Sequence, residues 1–130
     1  MKSVSFRNNH GEIIRSFLGI PYGRAERFEK PKPPWPWKET LEAEKYVDCA
    51  QIRDVPPYTE LGTEDCLVLN VFTTKLPKWK SVKRPDFKPV MVYIHGGSFT
   101  GGSGSPRVYG PQFLLDHDIV SPNGCLRFNF

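Results

Sequence analysis

Short apolar runs separated by turn-forming residues set the pattern of this chain. Residues 3 to 8 and 12 to 18 are two strand-like runs around Asn8-Asn9-His10-Gly11, where asparagine and glycine accept the positive φ of a hairpin turn. That makes His10 a turn residue. Gly19-Ile20-Pro21-Tyr22-Gly23 reads as a break after the second run. Pro31 to Trp37 must be extended, because proline fixes φ and drives the residue before it away from helix. Leu67 to Phe72 is nearly all apolar and suits a strand covered on both faces, in which Asn70 needs hydrogen-bond partners. Val90 to Ile94 is a second such run, ending at His95-Gly96-Gly97, so that a buried strand leads into a flexible glycine loop. Gly110-Pro111 opens a short helix through Gln112, Phe113, Leu114 and Leu115, with its apolar residues toward a sheet. Ile119-Val120 looks like the start of another buried strand, which the turn formers Ser121-Pro122-Asn123-Gly124 end at once.

Composition adjusts this picture only slightly. A length of 130 residues suits one domain, and 38% hydrophobic with 25% charged residues is ordinary for a globular chain. The 13 prolines and 11 glycines exceed the usual roughly 12%, so loops should be long relative to helices and strands. The net charge of +4 is concentrated in residues 75 to 88, where Lys75, Lys78, Lys80, Lys83, Arg84 and Lys88 face Asp86 alone. Flanked by Pro77, Pro85 and Pro89 and accompanied by no aromatic-interleaved reader motif, this run reads as a solvated loop and not as a nucleic-acid site. No apolar stretch reaches the roughly 18 residues of a membrane span, and the first 20 residues hold no signal-peptide core. Asn-x-Ser/Thr is absent too. Cys49, Cys66 and Cys125 allow at most one internal disulfide.

Four stretches, in order and spanning most of residues 17 to 120, resemble the type-B carboxylesterase/cholinesterase-like family of α/β-hydrolases. Phe17-Leu-Gly-Ile-Pro-Tyr22, with Arg27-Phe28, Pro31 to Pro34 and Trp37, is similar to its early Gly-Ile-Pro-Tyr and Arg-Phe-x-x-Pro segments. Glu64-Asp-Cys-Leu-Val-Leu-Asn-Val71 resembles its Glu-Asp-Cys-Leu signature, departing at Val68 and Thr74. Pro89 to Phe99 looks like its strand and oxyanion-hole loop, and Tyr109 to Val120 like the helix and strand start that follow. The fold implied is α/β: the N-terminal part of an α/β-hydrolase, a mixed β-sheet with few short helices, incomplete. Residues 1 to 120 would be the N-terminal part of the carboxylesterase domain and 121 to 130 a divergent tail.

The resemblance implies acyl transfer from small-molecule carboxylic esters, with no cofactor and no metal. Such chemistry passes through a tetrahedral oxyanion that preorganised backbone N–H groups stabilise. By resemblance Gly97 and Ser98 supply two such donors, Gly96 shapes the loop and Phe99 packs beside it. From spacing alone, the same residues also fit a plain strand-to-helix turn. No serine here has the Gly-x-Ser-x-Gly elbow: Thr100 spoils it around Ser98, and Ser105 around Ser103. Family members carry the nucleophile, acid and histidine further along, so none is assigned in this chain, and His95, His117 and Asp118 are not recruited as substitutes. The chain alone is therefore expected to be inert. A non-catalytic cholinesterase-like interaction protein is the rival reading, since a fold does not establish catalysis.

Cys49 and Cys66 correspond to the family's early disulfide, worth about 3 kcal/mol for a loop of this length. Two reduced thiols are the alternative, because family resemblance argues for secretion and this N-terminus argues against it. By the same resemblance Trp35 and Trp37 pack on the domain, while Pro31-Lys-Pro-Pro34 also fits a Pro-x-x-Pro ligand. Oligomeric state is left open.

Overall fold

In a computed structural model, residues 1–52, 60–76, 87–98 and 101–124 are described. Among the described residues eight strands follow one another: β1 (Lys2–Arg7), β2 (Ile13–Pro21), β3 (Glu42–Ala43), β4 (Gln51–Ile52), β5 (Glu60–Leu61), β6 (Val68–Thr73), β7 (Tyr93–Ile94) and β8 (Ser121–Gly124). Six form a mixed sheet in the order β3-β1-β2-β6-β8-β7, and β4 pairs β5 apart from it. Leu114–His117 is a 3-10 turn, and among the described residues no helix is long and apolar enough to cross a membrane.

The expected hairpin forms, with Val4 opposite Ser16 and Phe6 opposite Ile14. Its turn is built by Asn8, whose side-chain oxygen accepts the His10 and Glu12 N–H groups at 3.1 and 2.8 Å, while the Gly11 N–H reaches the Asn8 carbonyl at 3.0 Å. This is how an asparagine side chain organises a turn. Asn8 also donates to Asp116 at 3.0 Å, and the His10 ring lies 3.3 Å from the same carboxylate, so the hairpin tip is tied to the 3-10 turn.

Gly19 does not end β2, as its position as a breaker led us to expect. The strand runs on to Pro21, and its register against β6 shifts between Phe17 and Ile20. An unmatched residue of this kind is a bulge, a common reason for glycine inside a strand. With φ at +72°, a Cβ on Gly19 would lie 2.6 Å from the Lys45 carbonyl oxygen. The N–H of Gly19 instead finds the Asn70 side-chain oxygen at 3.0 Å, and Asn70 donates in turn to the Asn123 carbonyl at 3.4 Å. The partners required of a buried asparagine in β6 are thus on the two flanking strands.

A second departure lies at Ser121-Pro122-Asn123-Gly124, which is strand, not turn. It pairs antiparallel with β6, Asn70 opposite Asn123, and parallel with β7, Tyr93 opposite Asn123. Local turn preference yields because the slot between two strands supplies partners: besides its carbonyl contact, Asn123 donates its side-chain amide to the Tyr109 carbonyl at 3.2 Å. Long-range pairing outweighs weak local propensity. Val90 to Ile94 departs in the opposite sense. Only Tyr93–Ile94 is strand, with an isolated bridge from Val90 to Val120, and Val90, Val92 and Ile94 are exposed. They lie on the outer edge of the sheet, with no helix laid over them among the described residues.

The core is small. Ile14, Phe72, Leu115 and Ile119 cluster, with Phe6, Leu18 and Leu114 packed around them, so Leu114 and Leu115 do meet the sheet as expected, whereas Phe113 is exposed. Ser16 and Ser121 sit opposite Phe72 on either side, both buried, and neither hydroxyl has a hydrogen-bond partner among the described residues. Replacing Asn70 by leucine should lower stability by about 1 to 3 kcal/mol, since it orphans the Gly19 N–H, whereas Ser121→Ala should be neutral or stabilising because it removes an unpaired buried hydroxyl. Urea unfolding of the two variants checks the opposite signs.

Candidate functional site

The glycine loop leaves the carboxyl end of β7, beside its parallel neighbour β8. Open α/β sheets place their sites at such strand ends. His95, the first residue after the strand, is buried, and its Nδ1 lies 2.9 Å from the Gly96 carbonyl oxygen. Gly97 follows at φ +148° and Ser98 at φ +51°. The chain then returns so closely that a Cβ on Gly97 would fall 1.9 Å from the Gly101 carbonyl oxygen. A Cβ on Gly102, at φ +112°, would fall 2.2 Å from the Gly96 carbonyl oxygen and 2.5 Å from His95 Nδ1. Glycine is required here by backbone contact, which is stronger than a general need for flexibility. A hydrogen bond from the Gly101 N–H to the Gly97 carbonyl, 3.2 Å, closes the loop.

Gly96, Gly97 and Ser98 are thus adjacent and solvent-exposed at the strand end; Phe99 lies outside the described residues. The histidines and the aspartate set aside in the sequence are dispersed. His95 packs against the glycines, His117 is exposed at the end of the 3-10 turn, and Asp118 pairs with Lys88 and, at 3.9 Å, Lys75. Asp118 therefore pins both ends of the basic run, whose residues 77 to 86 lie outside the described set, as does Cys125. Its hydrogen bond to Lys88 holds the Asp118 carboxyl below its usual range. Near the loop, Tyr93 packs against Tyr109 with ring centroids 4.8 Å apart and planes tilted by 35°, and burial, ahead of the contact with Tyr109, raises its phenol above the usual value.

Cys49 and Cys66 form a disulfide with Cα atoms 5.0 Å apart, packed with Val68 and Val47. The neighbouring Asp48 takes part in a cluster that no sequence motif marks. Its Oδ1 accepts hydrogen bonds from the Tyr46 and Ser103 hydroxyls, both at 2.7 Å. A carboxylate beside a candidate disulfide cysteine was the only local hint. Apart from a bridge between Lys32 and Arg24 the proline-rich stretch forms neither helix nor strand, and Trp35 and Trp37 are exposed and not packed into the domain. Arg24 instead lays its guanidinium 3.6 Å above the Trp35 ring, and it bonds the Lys32 and Pro33 carbonyls at 3.0 and 3.1 Å.

Residues 3–121 match the carboxylesterase family. Esterase B1 of Culex pipiens is 40% identical over 114 residues, covering 85% of this chain and 20% of that protein. Juvenile hormone esterase of Tribolium castaneum is 35% identical over 125 residues, 91% of this chain and 20% of that protein. The crystal structure of juvenile hormone esterase from Manduca sexta, with OTFP covalently attached, matches with a TM-score of 0.79 at 29% identity, over 97% of this chain and 24% of that one. The chain spans about a fifth of the length of the curated relatives it matches.

Two consequences can be measured. Unfolding in urea with reductant should show a stability loss of about 3 kcal/mol relative to the oxidised chain, and thiol titration of the denatured protein should gain two groups on reduction, from Cys49 and Cys66. Because the Asp118 carboxyl is depressed, its stabilising effect is present above the ordinary aspartate range and is lost as pH falls through the lower folded value. Lys88→Met should flatten that acid-side decline in the urea midpoint.

Proposed function

The chain belongs to the carboxylesterase family, and from that premise we propose that it supplies the oxyanion-hole loop of a carboxylic ester hydrolase. In this reading the Gly97 and Ser98 backbone N–H groups receive the negative charge that develops on a small ester's carbonyl oxygen. Gly96 gives the loop its shape. The nucleophilic serine, its histidine and its acid come from outside these 130 residues. The reaction is acyl transfer: attack on the ester carbonyl, expulsion of the alcohol and hydrolysis of the acyl intermediate by water. OTFP is covalently attached to the Manduca sexta enzyme, in keeping with a covalent step in that relative.

The observation that supports this most is the return of the loop onto itself at the carboxyl end of β7. A Cβ on Gly97 would fall 1.9 Å from the Gly101 carbonyl oxygen, which fixes Gly97 as a residue without a side chain, and consecutive positive φ values at Gly97 and Ser98 turn the peptide units between them sharply. Donors held rigidly need no reorganisation when charge develops, and losing one lowers turnover about 10²- to 10³-fold. The Ser98 hydroxyl has no role in this chemistry, since only its main-chain N–H is used.

On its own the chain should not turn over p-nitrophenyl acetate above the protein-free rate, because loss of a nucleophile alone reduces turnover about 10⁶-fold in a serine hydrolase. Hydrolysis that Ser98→Ala abolished would overturn this. The anion role is tested by grafting residues 94 to 104 into the corresponding loop of para-nitrobenzyl esterase from Bacillus subtilis, which is 40% identical over 117 residues. In the graft, Ser98→Ala should leave kcat within about threefold, whereas Gly97→Ala should lower it about 10²-fold or more. A Gly97→Ala graft as active as its parent would sink the proposal.

A further inference from the structure

We propose that Asp48, together with Tyr46 and Ser103, is a positioning residue that fixes the returning limb of the glycine loop to the disulfide-closed segment and thereby sets the shape of the loop; this rests on the reading of that loop as the oxyanion site. Three polar atoms meet at one point. The Tyr46 and Ser103 hydroxyls each lie 2.7 Å from Asp48 Oδ1 and 2.8 Å from one another. The Ser103 oxygen also accepts the Ser105 N–H at 2.9 Å, so the hydroxyl is held from both sides. A carboxylate suits this place because it only accepts, and one oxygen has lone pairs for two converging donors.

The two ends of the contact are 55 residues apart in sequence, and each leads directly to a fixed feature. On one side Asp48 precedes Cys49, which is covalently joined to Cys66, and the Asp48 carbonyl accepts the Thr63 N–H at 3.0 Å. On the other side Ser103 follows Gly102, which lies against the Gly96 carbonyl and the His95 ring. One residue further back, the Gly101 N–H closes the loop onto Gly97. Position is thus handed from the disulfide to Asp48, from Asp48 to Ser103, and through the Gly101-Gly102 limb to the Gly97-Ser98 turn. Preorganised donors depend on groups outside the reacting site that hold them in place. None of the three side chains touches the reacting atoms in this scheme, so they act only through the loop.

Amide hydrogen exchange of the 130-residue chain, followed residue by residue by NMR, tests the tether. Asp48→Ala should speed exchange of the Gly101 amide about tenfold or more while amides of the β1–β2 hairpin stay within about twofold, the pattern of a local opening and not of global unfolding. Ser103→Ala should do the same, and Ser103→Thr, which keeps a hydroxyl, should restore protection. If Asp48→Ala does not fold, Tyr46→Phe serves, with the same local signature expected. The proposal is overturned if Gly101 exchange does not change, if the hairpin amides rise in step with it, or if Ser103→Thr is as labile as Ser103→Ala. Exchange is read without ester or nucleophile, so its failure removes the tether alone, whereas an unaffected Gly97→Ala graft removes the anion role and leaves the tether standing.

Discussion

A single buried amide organises the sheet. Asn70 is fully buried in β6, and an amide in that environment must pair or destabilise the fold. It pairs outward in both directions, accepting from Gly19 on β2 and donating to Asn123 on β8. The bulge in β2 and the amide in β6 are therefore complementary: the register shift exposes an N–H, and the asparagine is there to receive it. The same bulge brings Gly19 so close to the Lys45 carbonyl that no side chain fits between them. That contact places the segment leading to Cys49, and the disulfide returns it to Cys66, two residues before β6. The path closes on the strand where it began.

Both limbs of the glycine loop descend from this frame. The outgoing limb follows β7, which is held by β8, which in turn pairs with β6 around Asn70 and Asn123. On the tether proposed above, the returning limb is held by Asp48 on the disulfide segment. The loop is thus suspended between two routes from one strand, so small local shifts are resisted from both sides. A site built on strand ends and supported by packed neighbours is held more tightly than one carried by a free loop.

The features legible in the sequence were those set by neighbours a few positions away. The hairpin at Asn8 to Gly11 could be read because its turn uses its own side chain, and β6 because its apolar run is compact. The glycine loop was legible through His95-Gly96-Gly97 and the stretches around it. What escaped is set by contacts across tens of residues. Ser121 to Gly124 carries the local chemistry of a turn, yet the slot beside β6 makes it a strand. Gly19 was visible as an interruption, but whether an interruption ends a strand or bulges it depends on what lies opposite, here Asn70. Val90 to Ile94 has the composition of a strand covered on both faces, but no described element lies over Val90, Val92 and Ile94, so they stay exposed. The Asp48–Ser103 contact left no periodic trace at all, because neither residue belongs to a regular element.

Exposure sets a further condition on the chemistry proposed for the loop. Gly96, Gly97 and Ser98 all face solvent in this chain. An N–H dipole that stabilises an oxyanion strongly in a water-excluded site does far less in water, where the dielectric screens it and solvent competes for the same charge. Even a correctly shaped pair of donors is therefore weak here until other structure covers the strand end. The uncovered apolar residues Val90, Val92 and Ile94 lead directly into the loop, so the exposed edge and the exposed donors are neighbours along the chain. On the proposed reading folding and catalysis would share one requirement: the exposed apolar edge adjoins the loop whose burial would make the proposed oxyanion donors effective.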